Sequence, residues 1–332
     1  MTKMNLQLFA FADNGINTLA PNNPETNKLS AENKIYYDMT LLDSAEPELV
    51  HNQFGQKRPI PKNGGKTINF RRFTALRKAT APLTEGVTPE GTELEVSVVP
   101  GTVEQYGAYV KISDMVDLTA IDPVVEESVK LLGSQAGRTL DTVTRDIINA
   151  GTNVMYVGGV SGSSAVVDPL GFNDIFEAAA ILKGQNAKPI EGGSYVAIVH
   201  PYVAYDLMVA AKDAGSWVDV NKYANPEAIF NGELGKIGGV RIVESTEAKI
   251  KMEGSKPIFC TMVIGANAYG VTEVTGGGLE TIIKPFGAGD DPLNQRATCG
   301  WKATQTAERL DETAMVRIES SSTLASKITA AN

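Results

Sequence analysis

The sequence predicts an α+β fold assembled around one long helix. Three observations carry this. An apolar stripe recurs at helical spacing for about seven turns between Asp122 and Gly151. Strand-like and helix-like segments follow one another elsewhere without a repeating βαβ period. A long excursion between Lys57 and Glu104 alternates as strands do, basic on the way out and acidic on the way back.

The chain has 332 residues, enough for two domains and a substantial core, and 42% of them are hydrophobic. Its formal charge of −9 argues against a protein that binds nucleic acid through a basic face. It permits one that encloses DNA without binding it tightly. Two cysteines (Cys260, Cys299) and two histidines (His51, His200), widely separated, give no zinc spacing. A disulfide between the cysteines stays open at this point. The apolar run Met4–Ala12 is too short for a signal peptide, and no run approaches the roughly 20 residues of a membrane span. The expectation is a soluble chain made in a reducing cytoplasm.

The long helix has clear signals at both ends. Asp122 suits the N-cap and Pro123 the first helical position, while Glu126 and Glu127 lie near the positive end of the helix dipole. Gly151 is a C-terminal stop. Val125, Val129, Leu132, Ala136, Leu140, Val143 and Ile147 form one apolar face. The opposite face carries Lys130, Arg138, Asp141, Arg145 and Asp146. Gly133 and Gly137 would let another backbone approach closely, or are simply tolerated.

Residues 1 to about 30, with Pro21 and Pro24, read as an extended arm that cannot order by itself. A short helix from Ser30 would bring Ile35, Met39 and Leu42 onto one face. In the excursion, Lys57, Arg58, Lys62, Lys66, Arg71, Arg72, Arg77 and Lys78 precede Glu85, Glu90, Glu93, Glu95 and Glu104. Turn signals at Asn63-Gly64-Gly65 and Thr88-Pro89-Glu90-Gly91 bracket strands at 67–70 and 94–98. Unlike charges opposed across such a hairpin would contribute about 0.2–1 kcal/mol each, too little to hold it rigid alone.

Tyr106–Ser113 reads as a strand with Ala108, Val110 and Ile112 on one face. A Gly/Ser-rich turn (158–164) precedes a helix over Phe172–Lys183 whose inner side is Ile175, Phe176, Ala179 and Leu182. Tyr195–Val199 is a buried-type strand and Pro201–Lys212 a helix opened by proline. Strands follow at 238–243, 258–264, 279–283, 296–304 and 314–318, with Trp301 a core anchor.

No constellation specifies catalysis. Gly65-Lys66-Thr67 lacks the glycine a phosphate-binding loop needs five residues earlier, where Ile60 stands, and a strand follows it. Gly158, Gly159 and Gly162 miss the dinucleotide spacing. His200 ends a strand, where local packing is the prior reading and a general base the alternative. Gly276-Gly277-Gly278 opens no helix, and Asp290-Asp291 is a solvated loop pair rather than a cation site. The expectation is no enzyme, no cofactor and no metal.

Several stretches together resemble the HK97-type major capsid proteins of tailed phages, and more narrowly the N4-gp56 family. They are Met4–Ala10 (MNLQLFA), Ile112-Ser113-Asp114, Val199-His200-Pro201, Asn231–Val240 (NGELGKIGGV), Pro292–Arg296 (PLNQR) and Gly300–Ala303 (GWKA). The resemblance implies an N-arm (1–55), an extended E-loop (56–105), and a P-domain (106–160) with its spine helix at 123–150. It further implies an A-domain (161–295) and closing strands with the C-terminus (296–332). It implies self-assembly into hexamers and pentamers of a virion shell around double-stranded DNA, built in the bacterial host cytoplasm without any membrane. Partners would be a portal, a separate scaffolding protein and a decoration protein. Subunit-interface candidates are Arg71, Arg72, Arg77, Lys78, Glu85 and Glu90 on the loop, with Glu126 and Glu127 on the spine. The competing readings are an encapsulin-like shell holding an enzyme cargo, and an α+β enzyme using His200.

Overall fold

The computed structural model describes residues 39–45, 48–60, 65–74, 76, 78–83, 85–86, 88, 91–119, 124–190, 193–214, 217–219, 233–272, 279–287 and 293–332. The expected arm, the Asp122 cap with Pro123, Gly276–Gly278 and Asp290-Asp291 lie outside them. Residues 39–45 form helix α1. Strand β1 (Gln56–Arg58) precedes β2 (Thr67–Phe73), β3 (Val96–Thr102) and β4 (Glu104–Ser113). Helices α2 (Asp114–Thr119) and α3 (Val124–Asn149) follow. Then come β5 (Val154–Tyr156), α4 (Phe172–Gly184), β6 (Tyr195–Val199), α5 (Pro201–Ala214), β7 (Trp217–Asp219), β8 (Glu233–Ile237) and β9 (Val240–Glu244). The chain closes with β10 (Ile250–Glu253), β11 (Lys256–Ile264), β12 (Tyr269–Thr272), β13 (Leu279–Lys284), β14 (Arg296–Gln305), β15 (Ala307–Arg309) and β16 (Met315–Ser320).

Two compact units share these elements. The first is drawn from the chain up to Gln53, Gln105–Thr142 and Val274–Gln305. The second takes Phe54–Glu104, Val143–Glu273 and Thr306–Asn332. This partition cuts across the sequence division: residues 143–160 and 306–332, read there with the spine helix, fall in the second unit, while 274–295, read there as A-domain, fall in the first.

In the first unit a three-stranded sheet, ordered β13-β14-β4, lays one face on α3. Cys299, Trp301 and Ala303 of β14 meet Val129, Leu132, Ala136 and Leu140, with Leu41 of α1 completing the cluster. Trp301 is the expected anchor, its indole N–H donating to Gln135 Oε1 at 3.3 Å. Gly133 and Gly137 do admit a second backbone. A Cβ on Gly133 would stand 2.7 Å from the Leu41 carbonyl oxygen, and one on Gly137 would stand 2.5 Å from that of Ala45. The face α1 buries is Leu41 and Ala45, whereas Met39, expected inward, is exposed, because contact with these glycines sets the helix rotation.

The α3 stripe is as the spacing predicts through Leu140, but the polar face needs correction. Lys130, Arg138 and Asp146 are exposed, while Asp141 and Arg145 are fully buried. Within the first unit, Asp141 Oδ1 accepts the His51 backbone N–H at 2.6 Å and Oδ2 faces His51 Nδ1 at 2.6 Å. Within the second, the Arg145 guanidinium donates to the carbonyls of Glu247 (2.8 Å) and Asn332 (3.3 Å) and to Asp146 Oδ1. Helical periodicity locates these side chains on a polar face; it does not reveal partners distant in sequence that allow burial.

The second unit holds an eight-stranded mixed sheet ordered β5-β16-β11-β6-β9-β8-β7, with β10 paired to the start of β11. All five residues of β6 are buried, as a central strand requires. β8 and β9 form a hairpin across Gly238 and Gly239, whose φ values of 56° and 91° suit a tight primed turn. In α4 the buried residues are Ile175, Ala178, Ala179 and Leu182. Phe176, expected in the core, is 39% exposed; its ring lies over Gly238, where a Cβ would stand 2.2 Å away.

Smaller sheets complete this unit: β1-β12-β15, and the hairpin β2-β3. The hairpin register runs from Thr67↔Thr102 to Phe73↔Val96. Arg71 therefore opposes Val98 and Arg72 opposes Ser97, so the expected pairing of basic against acidic strand does not occur along this ladder. The acidic residues of the returning limb fall beyond its end.

Candidate functional site

His200, Cys260, Cys299 and Glu319 are buried titratable groups whose surroundings shift them. His200 sits in an aromatic setting beside Tyr202 and Phe259, and its Nδ1 accepts the Tyr202 backbone N–H at 3.2 Å as α5 begins. Burial lowers its pKa to about 4, so it is a neutral, locally bonded histidine and the general-base alternative loses its support. Cys260 and Cys299 are free and buried, and burial raises both thiols to about 11. Neither is disposed to act as a nucleophile. Buried Glu319 is surrounded by Lys251 (2.6 Å), Arg317 (3.0 Å) and a Ser163 hydroxyl donor. Burial pushes its carboxyl up, but the Lys251 and Ser163 hydrogen bonds and the two cations outweigh this and leave it lowered. That is a satisfied structural carboxylate. Among the described residues no three His, Cys, Asp or Glu side chains converge as metal ligands, and no helix is long and apolar enough to cross a membrane.

Two surfaces stand out instead. The first is the hairpin. Its inner face is anchored: Ile68 and Phe70 pack with Val103 and Leu310, and Phe70 lies on Gly270, where a Cβ would meet the ring at 2.4 Å. Arg72 is fixed by Asp311 at 2.8 Å and the Leu310 carbonyl at 3.2 Å. Arg71 points to the other face and lines a cleft of about 950 Å³ with Arg58 and Lys188. That face exposes Phe73 (66%), Val96 and Val98, continued by Leu94 (68%). Lys78 and Glu85 are exposed along the excursion, while Arg77 and Glu90 lie outside the described residues. Glu126 and Glu127 are exposed in the first turn of α3, with Glu127 bonded to Lys130 at 2.8 Å.

The second surface is the outer face of the β13-β14-β4 sheet in the first unit. Lys111, Lys284, Arg296 and Lys302 rim a trough of about 650 Å³ there. Its floor includes Gly107 and Gly300, which let β4 and β14 approach closely: Cβ atoms would stand 2.7 Å from the Trp301 carbonyl oxygen and 2.8 Å from Tyr109 Cβ. Sequence reasoning missed these lysines. The signal was present in β14, where Arg296, Thr298, Gly300 and Lys302 alternate with buried Ala297, Cys299, Trp301 and Ala303.

The sequence model of the phage capsid protein family matches residues 96–318, well over half of the chain, and includes both the trough and α3. The chain belongs to the phage capsid protein family. No curated protein matches the sequence. Among solved structures, this capsid protein is similar to the "Capsid of Ralstonia phage GP4", with TM-score 0.66 and 18% identity over 82% of this chain and 88% of that one. It is similar to the head structure of Helicobacter pylori bacteriophage KHP40, with TM-score 0.61 and 13% identity over 82% and 88%. It is also similar to the SrpI encapsulin of Synechococcus elongatus, with TM-score 0.55 and 9% identity over 85% and 90%. The fold is thus the α+β HK97-type capsid fold: α3 is its spine helix and the β2-β3 hairpin its extended loop. Family and fold agree on a structural role in the virion.

Proposed function

We propose that this chain is the major shell subunit of a tailed phage, of the N4-gp56 group, closing as hexamers and pentamers around double-stranded DNA. The observation that carries the reading is the hairpin. Its base is buried, yet its outer face and returning limb present Phe73, Leu94, Val96 and Val98 to solvent. A contiguous apolar strip of this kind marks a protein-binding surface. In a shell it lies on an adjacent copy, with Arg71, Arg77 and Lys78 near the neighbour's Glu126 and Glu127 and with Glu85 and Glu90 at the same contact, while Arg72, expected there too, is held by Asp311 of its own subunit. Each exposed pair is worth little, but repetition over a closed lattice adds many of them. The division into N-arm, E-loop (56–105), P-domain and axial A-domain belongs to this reading.

The net charge of −9 fits enclosure of DNA without sequence-specific binding. A portal, a separate scaffolding protein and a decoration protein are the expected partners, with assembly in the bacterial host cytoplasm and no catalytic role. The encapsulin-like compartment is the second reading, favoured by the fold overlap with SrpI. Nuclease protection separates the two: particles from the producing cells are expected to shield genome-length double-stranded DNA. Particles that hold a protein cargo and no protected DNA would overturn the phage reading.

A further inference from the structure

We infer that the cleft of the second unit, between the hairpin and the turn after α4, binds a small oligophosphate anion, free or as the tail of a nucleotide. The cleft encloses about 950 Å³, the size of a small-molecule site. Its wall carries Arg58, Arg71, Arg72 and Lys188, and among the described residues Asp311 is its one carboxylate. Asp311 is already used: Arg72 reaches it at 2.8 Å, and it accepts the Thr313 backbone N–H at 3.0 Å. Arg58, Arg71 and Lys188 remain without a carboxylate partner among the described residues, in a chain whose net charge is −9. The Arg58 Nε is also shut off from solvent with no acceptor there. A buried donor left so costs stability until something accepts from it.

Local structure gathers these groups. Gln56 and Arg58 stand two residues apart on β1, and Asn69 and Arg71 two apart on β2, so each pair shares a strand face with its members about 7 Å apart. The turn after α4 supplies Asn186 and Lys188, and the turn between β11 and β12 supplies Asn267. Both asparagines hold positive φ, 59° and 57°, and the Ala266 N–H donates to the Lys188 carbonyl at 2.8 Å. The two turns are thus tied to each other without a ligand. Guanidinium forks and side-chain amides both donate to phosphate oxygens. One carboxylate neutralises one of the three cations, whereas an oligophosphate neutralises all three, and this selects the phosphate class. A cleft of this size takes a short phosphate chain but not the width of a duplex. The inference concerns the free subunit and does not need the shell reading, in which Arg71 is offered to a neighbour.

The test titrates the full chain, as free subunit, with sodium tripolyphosphate at fixed ionic strength, and follows heat and amide exchange. Saturable binding is expected, with slower exchange in residues 67–73 and 185–188. Arg71→Ala with Lys188→Ala, both exposed in the native subunit, should weaken binding at least tenfold while melting without ligand stays native. Lys111→Ala with Lys284→Ala, in the first unit, should leave the affinity within about twofold. ATP in place of tripolyphosphate separates the two sources: equal or weaker binding marks a free oligophosphate, and tighter binding a nucleotide. Absence of saturable binding, citrate bound as tightly, or equal losses in the two double variants overturns the inference. Binding of duplex DNA without binding of tripolyphosphate overturns it as well.

Discussion

Asp141→Ala is expected to destabilise the free subunit by about 2–6 kcal/mol, since it leaves two buried His51 donors without their acceptor at about 1–3 kcal/mol each. Side-chain exposure at His51 and Asp141 is 1% and 0%, so solvent does not screen the loss. A carboxylate only accepts, so the ring nitrogen facing it carries the hydrogen, and both carboxylate oxygens are used by one residue. Truncation leaves a buried backbone N–H and a buried imidazole N–H without their acceptor, beside a small cavity. Asp141→Asn keeps one acceptor and the volume, so its cost should be clearly smaller. Thermal melts of the two variants check this, with a fall of roughly 10 °C for the alanine variant. Equal melting of wild type and Asp141→Ala would mean that the pair is not formed.

Phe70→Ala is the second large effect, about 3–5 kcal/mol for a fully buried phenylalanine, and it acts on the assembly element. The ring fills the space above Gly270 and beside Gly101, so its loss detaches the base of the hairpin from the β1-β12-β15 sheet. Amide exchange in β2 and β3 should accelerate while β6 and β11 at the centre of the large sheet stay protected. Shell yield should fall with it, because a loose hairpin must be ordered at the moment of contact. Unchanged exchange in β2 and β3 would contradict this account of how the hairpin is held.

Much of this architecture was legible in the sequence because local rules govern it. The spine helix, α4, β6, α5 and β11 each declare themselves by period and by punctuation at their ends. Strand β8 did not, since Gly235-Lys236 interrupts its alternation and only pairing with β9 makes it a strand. Asp141 and Arg145 read as solvent-facing because His51, Glu247 and Asn332 are far away in sequence. The charge pattern of the excursion was visible, but not its register, which sets Arg71 against Val98 and leaves Glu93 and Glu95 beyond the ladder. The basic sheet face went unseen for a related reason. Lys111, Lys284 and Lys302 come from three separate strands and become one surface only when β4, β13 and β14 pair.

The function proposed for this chain depends on its closing on copies of itself into an icosahedral shell. Electron microscopy of the purified protein at high concentration, with and without scaffold, tests it most directly. Closed particles are expected, their capsomers hexamers and pentamers, with the β2-β3 hairpin of each subunit lying on its neighbour. A strictly monomeric or dimeric species under both conditions would contradict it.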